Sequence, residues 1–428
     1  MNKTIEEIQD LKASSGVERP SCFILLPIVA SRSNSFSVKD RLSEAESLAS
    51  ALNLDVKGSY SVNVKEINPP VLIGNGQLEE LVRRVHDTEC AIVFIDTDLK
   101  GSQQRNIEKA LGRDIKVLDR TGVILDIFSD RAQSSEGRLQ VQLALLNYQR
   151  TRLVRMWTHL ERQRGSLGFI GGPGESQLEI DKRLIEEQIR KLEGKLDKVK
   201  ETRAQQKKNQ VRNKVPVVAL VGYTNAGKST LFNCLTHENV LVKDMLFATL
   251  DTVRRKLKTP AGREIILADT VGFISDLPHQ LVSAFRATLE ETADADIILH
   301  IQDASSPNFE AQNKEVLSIL TSLSPDVEKR IIPVLNKVDL LKDACNATGI
   351  CISAANNTGI EALLKAVDDQ LSESHKVYRI ELDVSDGKAL DWLHKHGEIH
   401  AQEFEGMKSF LDVSLSVDEY TKFLQFFK

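Results

Sequence analysis

A short glycine-rich segment holds the residues of this chain best suited to chemistry. The stretch VVALVGYTNAGKST (217–230) passes from an apolar run into the spacing GxxxxGKS. Gly222 and Gly227 tolerate the positive φ angles that let backbone N–H groups turn inward on a phosphate. Lys228 is then placed to reach the β and γ phosphates, and the Ser229 hydroxyl to bind Mg²⁺. The predicted phosphate-binding residues are Gly222, Asn225, Ala226, Gly227, Lys228, Ser229 and Thr230.

Two later segments supply groups that sense a third phosphate. The sequence DTVG at 269–272 follows the apolar run REIILA. Asp269 is expected to hold Mg²⁺ through water, and Gly272 to offer its N–H to the γ-phosphate. Thr249 can reach the metal and the γ-phosphate only while that phosphate exists, which predicts a switch. We therefore predict Lys228, Thr249 and Gly272 as catalytic residues, and Ser229, Thr249 and Asp269 as metal ligands.

A segment that follows a predicted buried strand indicates which nucleobase is bound. In IIPVLNKVD the Asp339 carboxylate can accept two hydrogen bonds, from the N1–H and the exocyclic amine of guanine. Adenine has an acceptor at N1 and no amine at C2, and a buried site rejects such a mismatch strongly. The further base-site residues are Asn336, Lys337, Ser353, Ala354 and Ala355. Together and in this order, each at a strand end, these motifs specify a GTPase.

Phe273 follows Gly272, where Ras-type enzymes place the glutamine that orients the attacking water. A phenyl ring cannot hydrogen-bond a water molecule. This predicts slow intrinsic hydrolysis with catalytic help from elsewhere, and it is equally compatible with a ring that packs on the adjacent strand. No arginine or histidine could be placed as a substitute from the sequence.

The composition is typical of a folded protein, with 41% hydrophobic and 27% charged residues over 428 positions. That length suffices for about three domains. No apolar run approaches the roughly 20 residues of a membrane span, and MNKTIEEIQDLKASSG lacks a signal-peptide core. Five scattered cysteines without metal-ligand spacing predict reduced thiols. We expect a cytoplasmic monomer.

Residues 137–214 differ from the rest in charge and periodicity. They hold 18 Lys and Arg against 9 Asp and Glu, a net +9, so the remainder carries −14 of the overall −5. Apolar residues recur three and four positions apart on both sides of the segment 165–176, which predicts an antiparallel helical hairpin. The stripes are Leu139, Leu143, Leu146, Leu153, Trp157 and Leu160, then Leu178, Ile185, Ile189, Leu192, Leu196 and Val199. The basic faces predict polyanion binding, or alternatively a spacer kept in solution by its charge.

The flanking segments predict two further α/β units. Residues 1–136 alternate short apolar runs with amphipathic stretches, the rhythm of a small parallel α/β domain. The sequence IGNG at 73–76 is interpreted as a tight turn, since no lysine follows it. Residues 374–428 give strand, helix, two strands and helix. The predicted fold class is α/β: a P-loop GTPase domain at 215–373, preceded by the α/β subdomain and the hairpin, and followed by the small domain.

These motifs resemble the Ras-like translation-factor class, and longer stretches resemble the HflX family of ribosome-associated GTPases. The stretches are KVLDRTGVILDIF, MWTHLERQ, GGPGESQLEIDKRLI, LFATLD and ADTVGFISDLPHQLVSAFRATLEET, within a similarity running from Leu26 to Phe427. The resemblance implies GTP, GDP and Mg²⁺ as ligands. It also implies binding to the large ribosomal subunit and its rRNA, with splitting of stalled or vacant ribosomes.

Two departures from the family pattern are visible. The family usually has a proline after LFATLD, whereas Thr252 and Val253 follow here, so no role is assigned to Thr252. The hairpin tip usually reads GTRGPGE, whereas this chain has GFIGGPGE at 168–175, so no contact needing an arginine is carried over. An apolar tip predicts stacking on an unpaired base, the alternative being a cap folded onto the hairpin. The predicted ribosome contacts are Phe169, Ile170, Gly172, Arg150 and Arg155.

The sequence is compatible with three functions. The first is a GTPase whose basic hairpin binds ribosomal RNA. The second is a signalling GTPase whose coiled-coil hairpin binds a protein effector. The third is an NTP-dependent RNA remodeller with a second nucleotide site in the N-terminal domain. The charge of the hairpin favours the first over the second, and the lack of a second phosphate loop disfavours the third.

Overall fold

A computed structural model describes most of the chain. The described residues are 19–29, 36–112, 114–163, 173–213, 215–236, 246–247, 249–276, 292, 294–341, 348–373 and 375–427. Among them, no helix is both long enough and apolar enough to cross a membrane. The elements form three sheets and a long helical hairpin, in an α/β fold.

The first sheet has four parallel strands in the order β2-β1-β3-β4. Its strands are β1 (Ser21–Val29), β2 (Asp55–Val64), β3 (Ile92–Ile95) and β4 (Lys116–Asp119). Its helices are α1 (Val38–Ala51), α2 (Asn75–Asp87), α3 (Gly101–Leu111) and α4 (Arg120–Arg131). Successive strand residues point to opposite faces, so Ile24 packs with α1 and α4 while Leu25 packs with α2 and α3. The predicted parallel α/β domain is confirmed.

Helix α4 is an element that the sequence did not predict. Its first nine residues, 120–128, are all buried, including the charged Arg120 and Asp126. A helix covered on every side lacks the one-sided apolar period from which amphipathic helices are recognised. Its start is nevertheless well defined, because Asp119 accepts the Gly122 N–H at 2.9 Å as an N-cap.

The hairpin consists of α5 (Ser135–Gln163) and α6 (Pro173–Asn213), which contact each other. In α6 the predicted stripe is buried at Ile189, Leu192 and Leu196. In α5 the prediction was partly wrong, because the buried positions near its start are Val141, Ala144 and Leu145. These side chains join the core of the first domain. The hairpin is therefore rooted in that domain through a second apolar face of α5.

The second sheet has six strands in the order β10-β9-β8-β5-β7-β6, of which only the β6–β7 pair is antiparallel. Its strands are β5 (Val217–Gly222), β6 (Val253–Lys258), β7 (Glu264–Asp269), β8 (Ile297–Asp303), β9 (Ile331–Asn336) and β10 (Ile350–Cys351). Its described helices are α7 (Lys228–Thr236), α8 (Phe309–Leu323) and α9 (Ile360–Glu373), with 3₁₀ turns at Val327–Arg330 and Val338–Leu340. The predicted loops all leave the carboxyl ends of strands, so they meet at one edge of the sheet.

The third sheet is a small antiparallel one in the order β11-β13-β12. It comprises β11 (His375–Asp383), β12 (Glu398–Glu405) and β13 (Lys408–Ser416), with helices α10 (Gly387–His396) and α11 (Val417–Phe427). Leu411, Val413 and Leu415 alternate along β13 and pack beneath the two helices. The order of elements is the one that the sequence predicts.

Candidate nucleotide-binding site

The loop at 223–227 joins β5 to α7 and has the backbone of a phosphate cradle. Asn225 and Gly227 have positive φ angles of 61° and 91°. Gly222 does not, which corrects the sequence-based reason for a glycine there. A Cβ at Gly222 would lie 2.1 Å from the carbonyl oxygen of Ile301 on β8. This glycine is required because two strands approach closely at the start of the loop.

Lys228 occupies the position predicted for phosphate binding. Its side chain is buried, and its Nζ donates to the carbonyl oxygens of Gly222 at 3.1 Å and Tyr223 at 2.9 Å. Burial lowers the pKa of Lys228 to about 8, against the opposing effect of the Asp269 carboxylate. A Cβ at Gly272 would lie 3.0 Å from this Nζ. The backbone of Gly272 thus borders the lysine, as an N–H donor to the same phosphate must.

The three predicted metal ligands come together from three different elements. Ser229 is the second residue of α7, Thr249 precedes β6, and Asp269 ends β7. The Ser229 hydroxyl donates to Asp269 Oδ2 at 2.8 Å and lies 2.9 Å from Thr249 Oγ1. The Thr249 hydroxyl donates to the same carboxylate oxygen at 3.0 Å. Only the folded chain brings these three oxygens within hydrogen-bonding distance.

The donor set fits Mg²⁺. Asp269 is buried, and its Oδ1 has no hydrogen-bond partner among the described residues. Burial raises the pKa of Asp269 above its ordinary value, while Lys228 and the two hydroxyls pull it down. A small hard cation with oxygen ligands and retained waters would satisfy this orphaned atom. Ser229 and Thr249 would bind it directly, and Asp269 would hold it through water.

The base site is assembled around Asn336 at the end of β9. Its Nδ2 donates to the Ala226 carbonyl oxygen at 2.9 Å, and its Oδ1 accepts the Ala354 N–H at 3.0 Å. Asn336 therefore ties the phosphate loop to the loop that carries Ser353 and Ala354, both buried. Ala355 next to them is exposed.

Lys337 and Asp339 follow in a tight turn. Lys337 has a φ of 63°, and its Nζ pairs with Asp303 Oδ2 at 2.7 Å. Asp339 lies in the following 3₁₀ turn with an exposed side chain. The Val338 N–H donates to the Ile352 carbonyl oxygen at 3.3 Å, which keeps this turn beside the Ser353 loop. The carboxylate is thus accessible to a base placed between the two loops.

The side chain of Phe273 lies in the core beside the start of the phosphate loop. Its side chain is buried with Tyr223, Val221 and Val316. Its backbone N–H donates to the Gly222 carbonyl oxygen at 3.1 Å, and its carbonyl oxygen accepts the Thr224 N–H at 2.7 Å. The packing interpretation of this residue therefore describes its position.

Sequence reasoning missed a polar cluster that joins the first domain to this site. Glu44 on α1 accepts the Tyr223 hydroxyl at 2.7 Å and also the Ser275 hydroxyl. Arg120 on α4 pairs with Glu44 and Asp96, and donates to the Ser275 carbonyl oxygen at 2.7 Å. Burial would raise the pKa of Glu44, but Arg120 and the hydroxyls hold it below its ordinary value. The available signal was the position of Arg120, directly after a parallel strand in KVLDRTG.

A second missed residue is Asp251, the last residue of LFATLD. Its carboxylate accepts the backbone N–H groups of Gln133 and Ser134, just before α5. The segment between the predicted switch threonine and β6 is therefore attached to the base of the hairpin. The acidic residue is visible in the sequence, but nothing near it along the chain indicates its partner.

The predicted ribosome contacts are described only in part. Arg150 lies on α5 and is partly buried. Phe169, Ile170 and Gly172, and the side chain of Arg155, lie outside the described residues. The neighbouring Arg152 is engaged within the protein, because its guanidinium lies 2.5 Å from Asp119 and 4.1 Å over the Tyr148 ring. Not every basic residue of α5 is thus available to a polyanion.

Three family models match consecutive parts of the chain. Residues 39–129 match a GTP-binding GTPase N-terminal model, and residues 131–210 match a GTP-binding GTPase middle region. Residues 217–337 match a model described as a 50S ribosome-binding GTPase. These matches cover the first domain, the hairpin and the domain of the phosphate loop.

Individual proteins are similar over nearly the same span. GTPase HflX of Magnetococcus marinus is 43% identical over 391 residues, which cover 89% of each chain. GTPase HflX of Escherichia coli is 39% identical over 385 residues, covering 88% of this chain and 89% of its own. A solved structure of a GTP-binding protein from Sulfolobus solfataricus in complex with GDP is 23% identical with a TM-score of 0.44, covering 83% of this chain and 99% of its own.

Proposed function

The chain belongs to the HflX family of GTPases, and from this membership we propose that it hydrolyses GTP while bound to the large ribosomal subunit and splits stalled or vacant ribosomes. In this proposal the G domain at 215–373 switches on GTP, and the hairpin at 137–214 contacts rRNA. The α/β subdomain at 1–136 and the small domain at 374–428 complete the chain.

One observation carries the enzymatic part of the proposal. The oxygens of Ser229, Thr249 and Asp269 converge within 3.0 Å of one another beside the buried Lys228. Two hydroxyls, one carboxylate and a lysine at the start of a helix are the groups that a magnesium–triphosphate complex requires. Thr249 belongs to a loop rather than to a fixed strand or helix, so it is the member able to report loss of the γ-phosphate.

The roles of the remaining residues follow from their positions. The N–H groups at 225–229 bind phosphate oxygens at the start of α7, where the helix dipole favours negative charge. Lys228 exchanges its two carbonyl acceptors for the β and γ phosphates, and Gly272 donates its N–H to the γ-phosphate. Bound Mg²⁺ supplies charge neutralisation on the phosphates. Asp339 selects guanine by pairing with N1–H and the exocyclic amine.

Hydrolysis is proposed to be slow without a partner. Phe273 is buried and cannot orient water. Arg120, which contacts Ser275 just after Phe273, is engaged by Glu44 and Asp96. Unassisted G domains hydrolyse GTP at roughly 10⁻⁴ to 10⁻² per second, and we expect a rate in this range. The ribosome is then the source of the missing catalytic assistance.

The proposal is tested by GTP turnover with and without purified large subunits. We expect slow turnover alone, acceleration by large subunits and none by small subunits. Lys228→Ala serves as the inactive control, because it removes the cation that the triphosphate requires. Fast turnover without a partner, or no response to large subunits, would contradict the proposal and favour the signalling alternative.

A further inference from the structure

The carboxylate of Asp251 binds the residues that lead into the first helix of the hairpin. Its Oδ2 accepts the N–H of Gln133 at 2.8 Å and that of Ser134 at 2.7 Å. The Ser134 hydroxyl donates to the other carboxylate oxygen and also accepts the Gly137 N–H at 2.8 Å. Ser134 is thus the N-cap that accepts an N–H of the first turn of α5, and Asp251 holds Ser134 and the residue before it.

The hairpin is shaped to receive this carboxylate. A Cβ at Gly137 would lie 2.2 Å from Asp251 Oδ1 and 3.0 Å from the Ser134 hydroxyl. Glycine destabilises a helix relative to alanine, yet Gly137 stands in the first turn of α5. Its absence of a side chain is therefore explained by the close approach of Asp251.

Asp251 is two residues away from the predicted switch threonine, and the intervening segment is anchored. Leu250 is buried in the core of the first domain. Phe247 is buried on the other side of Thr249 and contacts Phe128 edge-to-face, with ring centroids 4.7 Å apart. Only Leu250 separates Thr249 from Asp251, so a displacement of Asp251 is passed to Thr249 through the backbone of one residue. The docked Asp251 therefore adds a third point of attachment to the segment that carries Thr249.

We propose that Asp251 is a positioning residue that couples the switch threonine Thr249 to the base of the hairpin. Docked on α5, it holds Thr249 beside Ser229 and Asp269, where a triphosphate and its metal are bound. The inference rests on the proposed GTPase function and deepens it by naming the contact through which the nucleotide state reaches the hairpin.

Thermodynamic linkage makes the coupling reciprocal. If docking of Asp251 favours the GTP-binding position of Thr249, then bound GTP favours docking and stabilises the start of α5. GDP lacks the γ-phosphate that favours one position of Thr249 over the other. The affinity of the protein for GDP is therefore insensitive to the docking of Asp251. Coupling between two such sites typically changes affinity by about 5-fold to 150-fold.

The test compares affinities for GDP and a non-hydrolysable GTP analogue in the presence of Mg²⁺, using the full chain. The variants are Asp251→Asn, Asp251→Ala and Gly137→Ala. Each should weaken binding of the analogue at least about 5-fold and leave GDP affinity within about 2-fold. Asp386→Ala is the matched control, since Asp386 caps α10 in the C-terminal domain by accepting the Ala389 N–H at 3.2 Å.

Gly137→Ala separates coupling from a merely structural cap. Alanine favours a helix more than glycine does, so this variant should not weaken α5 by its own propensity. It leaves every side chain of the switch segment intact, and its closest clash is with Asp251 Oδ1 at 2.2 Å, followed by the Ser134 hydroxyl at 3.0 Å. If Gly137→Ala loses the preference for GTP, the cause is therefore not a damaged switch segment. The Gly137→Ala variant also keeps the test valid if Asp251→Ala fails to fold.

A second measurement is amide hydrogen exchange at 133–137. The wild-type protein should be protected there more strongly with the GTP analogue than with GDP, and Gly137→Ala should show no difference. An unchanged ratio of affinities, or an equal loss for both nucleotides, would overturn the inference and leave the proposed function intact. A wild-type protein that binds neither nucleotide would overturn both.

Discussion

The hydroxyl of Ser275 donates a hydrogen bond to the carboxylate of Glu44, although the two residues are 231 positions apart in the chain. Ser275 comes three residues after Gly272, and Glu44 lies on the first helix of the N-terminal domain. The same carboxylate accepts the hydroxyl of Tyr223, which follows the first glycine of the phosphate loop. One half-buried acid thus contacts both of the loops that are predicted to bind the γ-phosphate.

The cluster around Glu44 should depend strongly on Arg120. Arg120→Met removes the only ion-pair partner of the half-buried Glu44 among the described residues and leaves the buried Asp96 with only the more distant Arg41, 3.8 Å away. Loss of one partner from a buried pair typically costs about 3–5 kcal/mol. The measurement is urea unfolding monitored by circular dichroism. Arg83→Met is the control, because the Arg83 ion pairs are exposed and its loss should be much smaller. Equal effects of the two substitutions would refute this account.

Gly222→Ala tests the corrected role of the first loop glycine. The new methyl group would meet the Ile301 carbonyl oxygen at 2.1 Å, so strand β5 must shift at the phosphate loop. We expect a loss of about 1–3 kcal/mol in stability and weaker binding of GTP. Gly76→Ala is the control, since a Cβ there meets nothing within 4 Å and alanine suits helix α2. A stable Gly222→Ala protein with normal GTP affinity would show that the close approach of β5 to β8 does not require glycine at this position.

Asp126 predicts a pH dependence of stability. Burial, with the nearby Asp130 and Asp119, raises the pKa of Asp126 to about 8, and its Oδ2 has no partner among the described residues. In the unfolded chain the pKa is about 3.9, so between these values the folded state holds a proton that the unfolded chain has released. The contribution to stability is full below about pH 4 and falls by about 1.4 kcal/mol per pH unit up to about pH 8.

Asp126→Asn should abolish this slope. Thermal unfolding at pH 5.5 and pH 8.5 is the measurement, and the variant should gain stability relative to wild type as the pH rises. Asp114→Asn, at an exposed position of the same domain, should follow the wild-type pH profile. A constant difference between Asp126→Asn and wild type at both pH values would show that Asp126 is ionised in the folded protein.

Asp339→Asn tests the guanine assignment. An amide offers one donor and one acceptor where the carboxylate offers two acceptors, so preference should shift from GTP toward xanthosine triphosphate. Affinities for the two nucleotides, measured by competition with a fluorescent GDP analogue, give the ratio. Wild-type protein that binds ATP as well as GTP at this site would contradict the assignment.

The hairpin tip is tested by replacing residues 165–175 with a short Gly/Ser turn. The tip is distant in sequence from every predicted nucleotide ligand, so GTP binding and intrinsic hydrolysis should be unchanged. Ribosome splitting, followed by sedimentation of subunits, should be lost if Phe169 stacks on an unpaired base. Splitting at the wild-type rate would assign the tip a capping role and move the activity to the G domain or the basic faces.

The sequence by itself determined the order of the domains and the identity of the nucleotide site. Each motif there consists of residues close together in the chain at the end of an apolar strand, so local spacing is sufficient to predict it. The convergence of Ser229 and Asp269 follows from the parallel strands β5 and β7, which bring their carboxyl ends together. Thr249 reaches the same edge because it precedes β6, which runs antiparallel to β7. Helix α4 was missed because a helix buried on every side has no one-sided spacing of apolar residues.

Only the tertiary structure decided how the switch segments are held. Asp251 reads along the chain as an ordinary acidic residue, Gly137 as a weak helix position and Arg120 as one charge among many. Asp251 binds Ser134, which is more than a hundred residues away in the chain. Arg120 binds Ser275, which belongs to another domain. Hydrogen bonds between distant segments leave no period in the sequence, because each partner is chosen by the packing of whole domains rather than by its neighbours.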